Sequence, residues 1–289
     1  MAILIGILEQ GLSYGIMALG AYITYKILDF PDLTVDGSFP LGAAVTAVLL
    51  GAGVNPFLTL LIAFAAGVLA GICTGLIHVK LKVRDLLSGI IMFTALYTIN
   101  LKIPGKAYVP LFTETTIFDG GFLQALGSFG CVVMTLLVAL VAKILLDLYL
   151  KTKSGYLLRA VGDNDVIVTA LAKDQGLVKI VGLAIANGLV ALGGSVYCQQ
   201  QRYYDISMGT GTVVIGLASV IIGTNLFKNM TFMKATSAVL IGSILYKACV
   251  AGAMALGLDP QNMKLVTAVL FLVILVISMD RKKKVKGNA

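Results

Sequence analysis

Charged side chains are scarce in this sequence, and their scarcity excludes a water-soluble globule. Only 12% of the 289 residues are charged, whereas 58% are hydrophobic and the mean hydropathy is +0.97. Ordinary soluble domains carry roughly 25% charged residues, so this chain has too few to cover a folded body in water. The high apolar content likewise excludes a disordered chain. We therefore predict an all-α, polytopic membrane protein whose surface faces lipid.

Residues and motifs for catalysis are equally few. The single histidine, His78, lies beside Lys80 and Lys82 and fits an interfacial side chain better than a metal ligand. The four cysteines have no Cys-x-x-Cys spacing, which favours small core residues over a redox or metal role. The sequence contains no Gly-x-x-x-x-Gly-Lys-Ser/Thr phosphate loop, no Gly-x-Ser-x-Gly elbow and no His-Glu-x-x-His helix. We therefore expect no enzyme activity and no bound cofactor or metal in this chain itself.

The apolar residues fall into runs of the length that a membrane crossing requires. A helix needs about 20 mostly apolar residues to cross the hydrocarbon core. Nine runs approach or reach this length, near residues 3–27, 38–54, 57–78, 86–102, 127–150, 178–198, 209–226, 235–257 and 263–279. One of the two short runs, 38–54 or 209–226, is a candidate for a broken or re-entrant helix. We therefore predict eight or nine transmembrane or re-entrant helices in a single domain over residues 1–289.

The basic residues predict the orientation of the chain, because Lys and Arg stay on the cytoplasmic side of a membrane. With nine crossings, four basic clusters fall on one side: Lys80, Lys82 and Arg84; Lys151, Lys153, Arg159 and Lys173; Lys228 and Lys234; and the tail over residues 280–289. The opposite loops hold only Lys106, Arg202 and Lys264. We therefore expect a multi-pass protein of the plasma membrane with its N-terminus outside and its C-terminus in the cytoplasm. The tail fits a cytoplasmic anchor, and we expect no nucleic-acid partner.

Two further features lie within the apolar runs. Ala63, Gly67, Gly71 and Gly75 recur every four residues and form a groove on one helix face, which suits either ordinary helix packing or a contact between subunits. Charged side chains within spans are costly, and Glu9 and Lys247 both fall in the outer half. They are therefore expected to pair, although a solute contact is the alternative. The first stretch lacks a basic region and a cleavage site, so we expect a retained span rather than a signal peptide.

Polar segments at three places interrupt the apolar pattern. The loop at about 151–177 contains Lys153-Ser154-Gly155-Tyr156-Leu157-Leu158-Arg159-Ala160-Val161-Gly162-Asp163-Asn164-Asp165. The run 166–172 after it predicts a short surface helix, with Asp163 or Asn164 as N-cap and Gly176 as C-cap. The segment 32–38 alternates polar residues and fits either a solvated inner loop or a broken helix near a polar cavity. A glycine-rich stretch from Gly209 to Thr224 is the third.

These three segments resemble those of permeases of the ribose and branched-chain amino acid type, which are subunits of ATP-binding-cassette importers. The resemblance implies the permease fold of that family and a coupling helix that docks in a groove of the ATPase. It assigns ATPase coupling to Gly155, Arg159, Gly162, Asp163 and Asn164. The translocation path is expected to include Asp32, Thr34, Asp36, Ser38, Asn100 and Asn187. One departure is Thr224, which follows Gly223 alone where the family has Gly-Gly-Thr.

The resemblance also implies the partners. It predicts a homodimer that recruits two cytoplasmic ATPase subunits, receives its solute from an extracytoplasmic binding protein, and lies in membrane lipid. The solute is expected to be small and polar, such as an amino acid, and ATP hydrolysis belongs to the ATPase. The rival interpretation is a secondary transporter or channel that works without an ATPase, although the internal repeats typical of such transporters are not evident. A membrane scaffold without transport is a third interpretation.

Overall fold

The computed structural model describes residues 2–120, 127–163, 174–228, 230, 233–255 and 265–276. Within these ranges the α-helices are α1 (Ala2–Tyr22), α2 (Val35–Gly51), α3 (Pro56–Val79), α4 (Asp85–Lys102), α5 (Gly130–Tyr149), α6 (Lys153–Asp163), α7 (Gln175–Gln201), α8 (Thr212–Leu226), α9 (Ala235–Ala255) and α10 (Leu265–Val276). A π-helical turn, Ile23–Ile27, extends α1. The predicted tail 280–289 lies outside the described residues.

The predicted membrane character is confirmed, but the predicted number of crossings is not. In the part of the chain that the structure describes, six helices are long and apolar enough to cross a membrane: α1 with its π-helical turn, α3, α5, α7, α8 with the turn before it, and α9. Two further apolar helices, α2 and α10, are shorter. The helix α4 begins at Asp85 and ends at Lys102, so charged residues stand at both of its ends. The eight or nine transmembrane or re-entrant helices expected from the sequence are therefore not confirmed, and length and composition support six spans within the described residues.

Helix α7 lies at the centre of the bundle and packs against α1, α2 and α3. Small residues allow this close packing. A Cβ atom at Gly67 would lie 2.3 Å from the carbonyl oxygen of Asn187, and one at Gly71 would lie 2.2 Å from that of Leu183. The groove on α3 is therefore filled by the α7 backbone, which identifies ordinary helix packing as the role of the small-residue pattern.

Large apolar side chains cover the outer faces of α3, α4, α5 and α10. Leu61, Leu145 and Leu272 are each more than 60% exposed. Such faces would be unstable in water but are the expected surface of a helix in lipid. The bundle therefore keeps its polar contacts inside and presents hydrocarbon outside.

Helices α2 and α8 both begin inside the bundle. The first turn of α2 reaches the middle of α7, where Ser38 contacts Asn187. The chain before α8 forms a 3₁₀ turn, Ile206–Gly209, whose Gly209 packs against the backbone of Asp36. The first of the two runs predicted to be short is the short helix α2, the second reaches spanning length only with the turn before α8, and the two N-termini meet in the interior.

The loops gather at two opposite ends of the bundle. At one end, strands β1 (Tyr108–Pro110) and β2 (Tyr203–Asp205) pair antiparallel, a small addition to the predicted all-α fold. Arg202 forms an ion pair with Asp119 there. Partial burial opposes ionisation of Asp119, but hydrogen bonds from Thr116 and the nearby Arg202 hold the pKa of that carboxyl below its ordinary value.

The opposite end of the bundle carries the basic residues that were predicted to be cytoplasmic. Lys82 and Arg84 line one cavity there, and Lys151, Arg159 and Lys234 line a second. Residues predicted to lie outside, Lys106 and Arg202, stand at the β-ribbon end. The structure therefore groups these basic residues as the alternation of crossings requires, and the side that each end faces stays a prediction.

Candidate functional site

A buried polar cluster joins the loop before α2 to the middle of α7. The Oδ2 atom of Asp32 accepts a hydrogen bond from the side-chain amide of Asn187, with 2.8 Å between N and O. The Oδ1 atom of Asn187 accepts one from the Ser38 hydroxyl at 2.7 Å. All three side chains are buried, Asp32 being 5% exposed and the other two not exposed at all. Three residues predicted for the translocation path therefore form one hydrogen-bonded chain.

The same cluster extends to α3 through Thr34. Its backbone N–H donates to Asp32 Oδ1 at 2.8 Å, and its hydroxyl lies 3.0 Å from the hydroxyl of Thr74. A buried carboxylate is costly unless it is hydrogen-bonded, and these donors meet that requirement. Asp32, Thr34, Ser38, Thr74 and Asn187 are called the interior network below. Thr74 was missed by sequence analysis because a threonine in an apolar helix carries no distinguishing pattern.

The interior network decides between the two interpretations of the segment 32–38. A solvated inner loop would expose Asp32, Thr34 and Ser38, but all three are buried, so that interpretation is wrong. The chain is non-helical only before Val35, where α2 begins. A cavity of about 140 Å³ lies beside Asp32, between the end of α1 and the first turns of α8. The polar segment therefore lies at a break between helices with a small cavity next to it.

Asp36 caps a helix to which it does not belong. Its Oδ1 atom accepts hydrogen bonds from the backbone N–H of Val213 at 2.7 Å and from the Thr212 hydroxyl at 2.9 Å, and its Oδ2 atom accepts from the N–H of Gly211 at 3.2 Å. Gly211 has φ +85°, a left-handed conformation that glycine adopts without strain. A carboxylate at a helix N-terminus satisfies free N–H groups and the helix dipole. Asp36 therefore fixes the start of α8 to the start of α2.

Asn100 lies on α4 and contacts the same turn of α2 from another side. Its side-chain amide donates to the carbonyl oxygen of Gly37 at 2.9 Å, and the Tyr204 hydroxyl donates to the backbone carbonyl of Asn100 at 2.8 Å. Asn100 is 1% exposed, and its Oδ1 atom has no hydrogen-bond partner within the described part of the chain. The structure thus brings all six predicted path residues to the first turn of α2, but Asp36 and Asn100 stand beside the interior network rather than in it.

The predicted coupling loop contains a helix that the sequence did not predict. Helix α6 starts at Lys153 and ends at Asp163, and the N-cap role of Asp163 stays a prediction because the helix that it would cap lies outside the described residues. Gly176 is not a C-cap, because it lies in the first turn of α7, where its N–H donates to the Asp174 side chain at 2.8 Å. Asn164 and the predicted surface helix at 166–172 lie outside the described residues.

One face of α6 is buried and the other is exposed. Gly155, Leu158 and Val161 face the bundle, whereas Tyr156, Arg159 and Asp163 are exposed at its surface. This period of three to four residues is the pattern of an amphipathic surface helix. The exposed face therefore offers an aromatic ring and charges of both signs to a partner.

Helix α6 rests directly on the end of α1. A Cβ atom at Gly162 would lie 1.7 Å from the carbonyl oxygen of Ile27, so only glycine permits this approach. Leu158 and Leu28 both pack against Gly182 of α7. The loop that begins at Leu28 leads to Asp32. The surface helix and the interior network are therefore connected through one short segment of backbone.

The predicted pair of Glu9 and Lys247 does not form. The Lys247 ammonium lies 3.9 Å from the centroid of the Tyr14 ring and 3.5 Å from the side-chain oxygen of Gln10. Glu9 instead accepts a hydrogen bond from Gln200 at 3.4 Å. A cation above an aromatic face is favourable in a desolvated site, and this contact replaces the expected ion pair. Tyr14 was missed because stacking partners such as Phe39 are distant in sequence.

Comparison with known proteins identifies the family. Residues 3–276 match the family described as "Branched-chain amino acid transport system / permease component". The chain is 44% identical over 272 residues to the tyrosine transport system permease protein of Clostridioides difficile (strain R20291), covering 94% of this chain and 90% of that protein. It is 33% identical to the uncharacterized protein RP368 of Rickettsia prowazekii (strain Madrid E), with 98% and 99% covered.

A more distant relative has a different named solute. The galactofuranose transporter permease protein YtfT of Escherichia coli (strain K12) is 23% identical over 96% of this chain and 80% of its own length. No solved structure matches the chain. The family match covers nearly all of the chain, including the interior network, the Asp36 cap and α6. The chain therefore belongs to the family of permease components of branched-chain amino acid transport systems.

Proposed function

We propose that this chain is the membrane-spanning subunit of an ATP-binding-cassette importer for an amino acid. The observation that carries the proposal is the packing of α6 on the end of α1, beside the loop that holds Asp32. A surface helix in that position transmits the movement of a cytoplasmic partner to the interior of the bundle. The family match and the tyrosine transport relative support transport of an amino acid.

The partners follow from what this chain supplies. It offers a membrane body and a surface helix, and the sequence contains no phosphate-binding loop. Two cytoplasmic ATPase subunits would hydrolyse ATP and contact the exposed face of α6. A second copy of this chain would complete the path, and an extracytoplasmic binding protein would deliver the solute. Arg159 suits the ATPase contact because its planar, permanently charged group binds carboxylates and carbonyl oxygens.

The proposed mechanism is alternating access driven from α6. Closure of the ATPases would shift α6, and because Gly162 lies against Ile27, the loop before α2 would move with it. That movement would break the contacts of Asp32 and Ser38 with Asn187 and free three polar side chains for the solute path. The starts of α2 and α8 would move together, because Asp36 holds them.

Reconstitution of the chain into liposomes tests this function. Labelled tyrosine should accumulate only when the chain, the ATPase subunits, the binding protein and ATP are all present. An ion-gradient-driven uptake by the lone chain would instead identify a secondary transporter. The double change Arg159→Ala with Asp163→Ala should abolish uptake and reduce ATPase association, because it removes one positive and one negative charge from the exposed face of α6.

The matched control is Lys106→Ala with Glu114→Ala at the β-ribbon end of the bundle. This pair also removes one positive and one negative charge, and it should leave ATPase association unchanged. Normal ATPase association and uptake in the α6 double variant would contradict the assignment of this helix. Thermal stability of each purified variant, followed by size exclusion after heating, shows whether any loss reflects misfolding.

A further inference from the structure

The cavity lined by Lys82 and Arg84 is separate from the small cavity beside Asp32. It has a volume of about 510 Å³ and stands where α3 ends and where α4 and α7 begin. Its lining includes the basic side chains of Lys82, Arg84 and Lys179, with Asp85 as the acidic member. We propose that this cavity binds the headgroup of an anionic phospholipid, whose acyl chains lie along the neighbouring apolar face of α4.

The turn that carries the basic side chains is held in a fixed shape. The Nδ1 atom of His78 lies 2.9 Å from the carbonyl oxygen of Val83 and donates to it, closing the turn. The buried Phe30 ring packs edge-on against the His78 ring, with 5.1 Å between centroids. The N–H groups of Leu81 and Val83 donate back to carbonyl oxygens in the last turn of α3. Lys82 and Arg84 are therefore presented from a built turn rather than from a loose loop.

The surroundings of the cavity select a lipid over a free anion. Leu81, next to Lys82, is 70% exposed, and Leu86 and Leu87, which follow Arg84, are 45% and 50% exposed. The cavity thus lies at a boundary between basic groups and a hydrocarbon-facing surface. An anionic lipid matches both halves, because its phosphate meets the basic groups while its chains cover the leucines. A free phosphate would leave the exposed leucines without a role in binding.

Charge supports an anionic over a zwitterionic headgroup. Among the described lining residues, Lys82 and Arg84 give two positive charges at the cavity wall, and Asp85 gives one negative charge. Arginine and lysine near a membrane surface attract acidic lipids, and a pocket between helices adds geometric selection. Phosphatidylglycerol is therefore expected to bind more tightly than phosphatidylcholine.

Native mass spectrometry of the full chain in mild detergent tests the proposal with defined lipids. Dioleoyl phosphatidylglycerol should bind with an apparent Kd at least about tenfold lower than dioleoyl phosphatidylcholine. The double variant Lys82→Gln with Arg84→Gln should weaken phosphatidylglycerol binding by at least about tenfold. The matched control is Lys102→Gln with Lys106→Gln, which removes the same charge at and just beyond the other end of α4 and should change the Kd less than about twofold.

Several results would overturn the site. Equal weakening in both double variants would show general attraction to a basic protein, and equal affinity for phosphatidylcholine would remove the role of charge. Displacement of the lipid by millimolar inorganic phosphate would identify a free-anion site. Retained lipid binding with lost ATPase association in the Lys82 and Arg84 variant would identify a protein-contact surface instead. The conservative pair Lys82→Arg with Arg84→Lys should retain binding, which separates loss of charge from loss of fold.

Discussion

Replacing a single side chain in this bundle can leave a buried polar partner without its hydrogen bond. The Asn187 side chain bonds the side chains of both Asp32 and Ser38, since its amide group donates to one and accepts from the other. It also donates to the backbone of Leu183 at 3.1 Å, which fixes its rotamer. Removing one partner from a buried polar chain costs more than removing the whole chain, because a desolvated group is left unsatisfied.

Replacing Asn187 by Leu should therefore destabilise the chain by about 1–3 kcal/mol. The change leaves the Asp32 carboxylate and the Ser38 hydroxyl buried without their amide partner. The midpoint of thermal unfolding is measurable as the loss of the monodisperse size-exclusion peak after heating. On the same helix, Ser195→Ala removes one hydroxyl contact with Thr46 and should cost at most about 1 kcal/mol. Equal effects of the two changes would contradict the central position of Asn187.

The cap made by Asp36 gives a second prediction. Asp36→Ala should cost about 0.5–2 kcal/mol, because the first N–H groups of α8 lose their acceptor. Asp36→Asn keeps the Oδ1 acceptor for Val213 and Thr212, so it should lose less than half as much. Thermal unfolding of the two variants side by side checks this order. Alanine and asparagine variants of equal stability would show that the carboxylate does not act as a cap.

The elements of this fold were predictable to very different degrees. The run 57–78 differs from α3 (Pro56–Val79) by one residue at each end, because apolar length and the Asn55 cap before Pro56 are local signals. Helix α6 (Lys153–Asp163) was not predicted, because a glycine such as Gly162 is unfavourable inside a helix. In the folded chain the lack of a side chain at Gly162 allows α6 to approach the carbonyl oxygen of Ile27. This contact joins segments that are distant in sequence, so local patterns do not reveal it.

The interior network shows the same limit of local reasoning. The polar residues of the segment 32–38 were recognisable from their pattern, but their partners were not. Asp32 and Asn187 are 155 positions apart, and Asp36 and Val213 are 177 positions apart. Neither separation follows any helical or strand period. Residues that break an apolar pattern could thus be singled out from the sequence, whereas their hydrogen-bond partners required the fold.

At the scale of elements, the contact between α6 and α1 predicts a variant with intact folding and impaired coupling. Gly162→Ala introduces a methyl group against the Ile27 carbonyl, so α6 must move away from the end of α1. ATP-dependent uptake by the assembled importer should fall at least about tenfold, while the lone chain stays monodisperse. Gly51→Ala at the end of α2, where an added Cβ atom meets nothing within 4 Å, is the control and should leave uptake within about twofold. Normal uptake with Gly162→Ala would show that this contact does not transmit movement.

The whole molecule has two ends of different charge, and this asymmetry predicts its orientation. The β-ribbon end holds Lys106 and the ion pair of Arg202 with Asp119, whereas the opposite end gathers the basic residues of several loops. Basic residues resist translocation across the membrane, so the end richer in them is expected in the cytoplasm. The structure strengthens this prediction, because it brings basic residues from distant loops to the same end of the bundle.

Thiol labelling of intact cells checks the orientation. The four cysteines are replaced first, and single cysteines are then placed at exposed positions by Lys106→Cys, Arg84→Cys and Lys151→Cys. A membrane-impermeant maleimide should label the Lys106 variant in intact cells, because the β-ribbon end is predicted to face outward. The Arg84 and Lys151 variants should be labelled only after the membrane is opened, because their loops face the cytoplasm. The reverse pattern would show that the chain has the opposite orientation. Helix α6 would then lie outside the cell and could not contact a cytoplasmic ATPase.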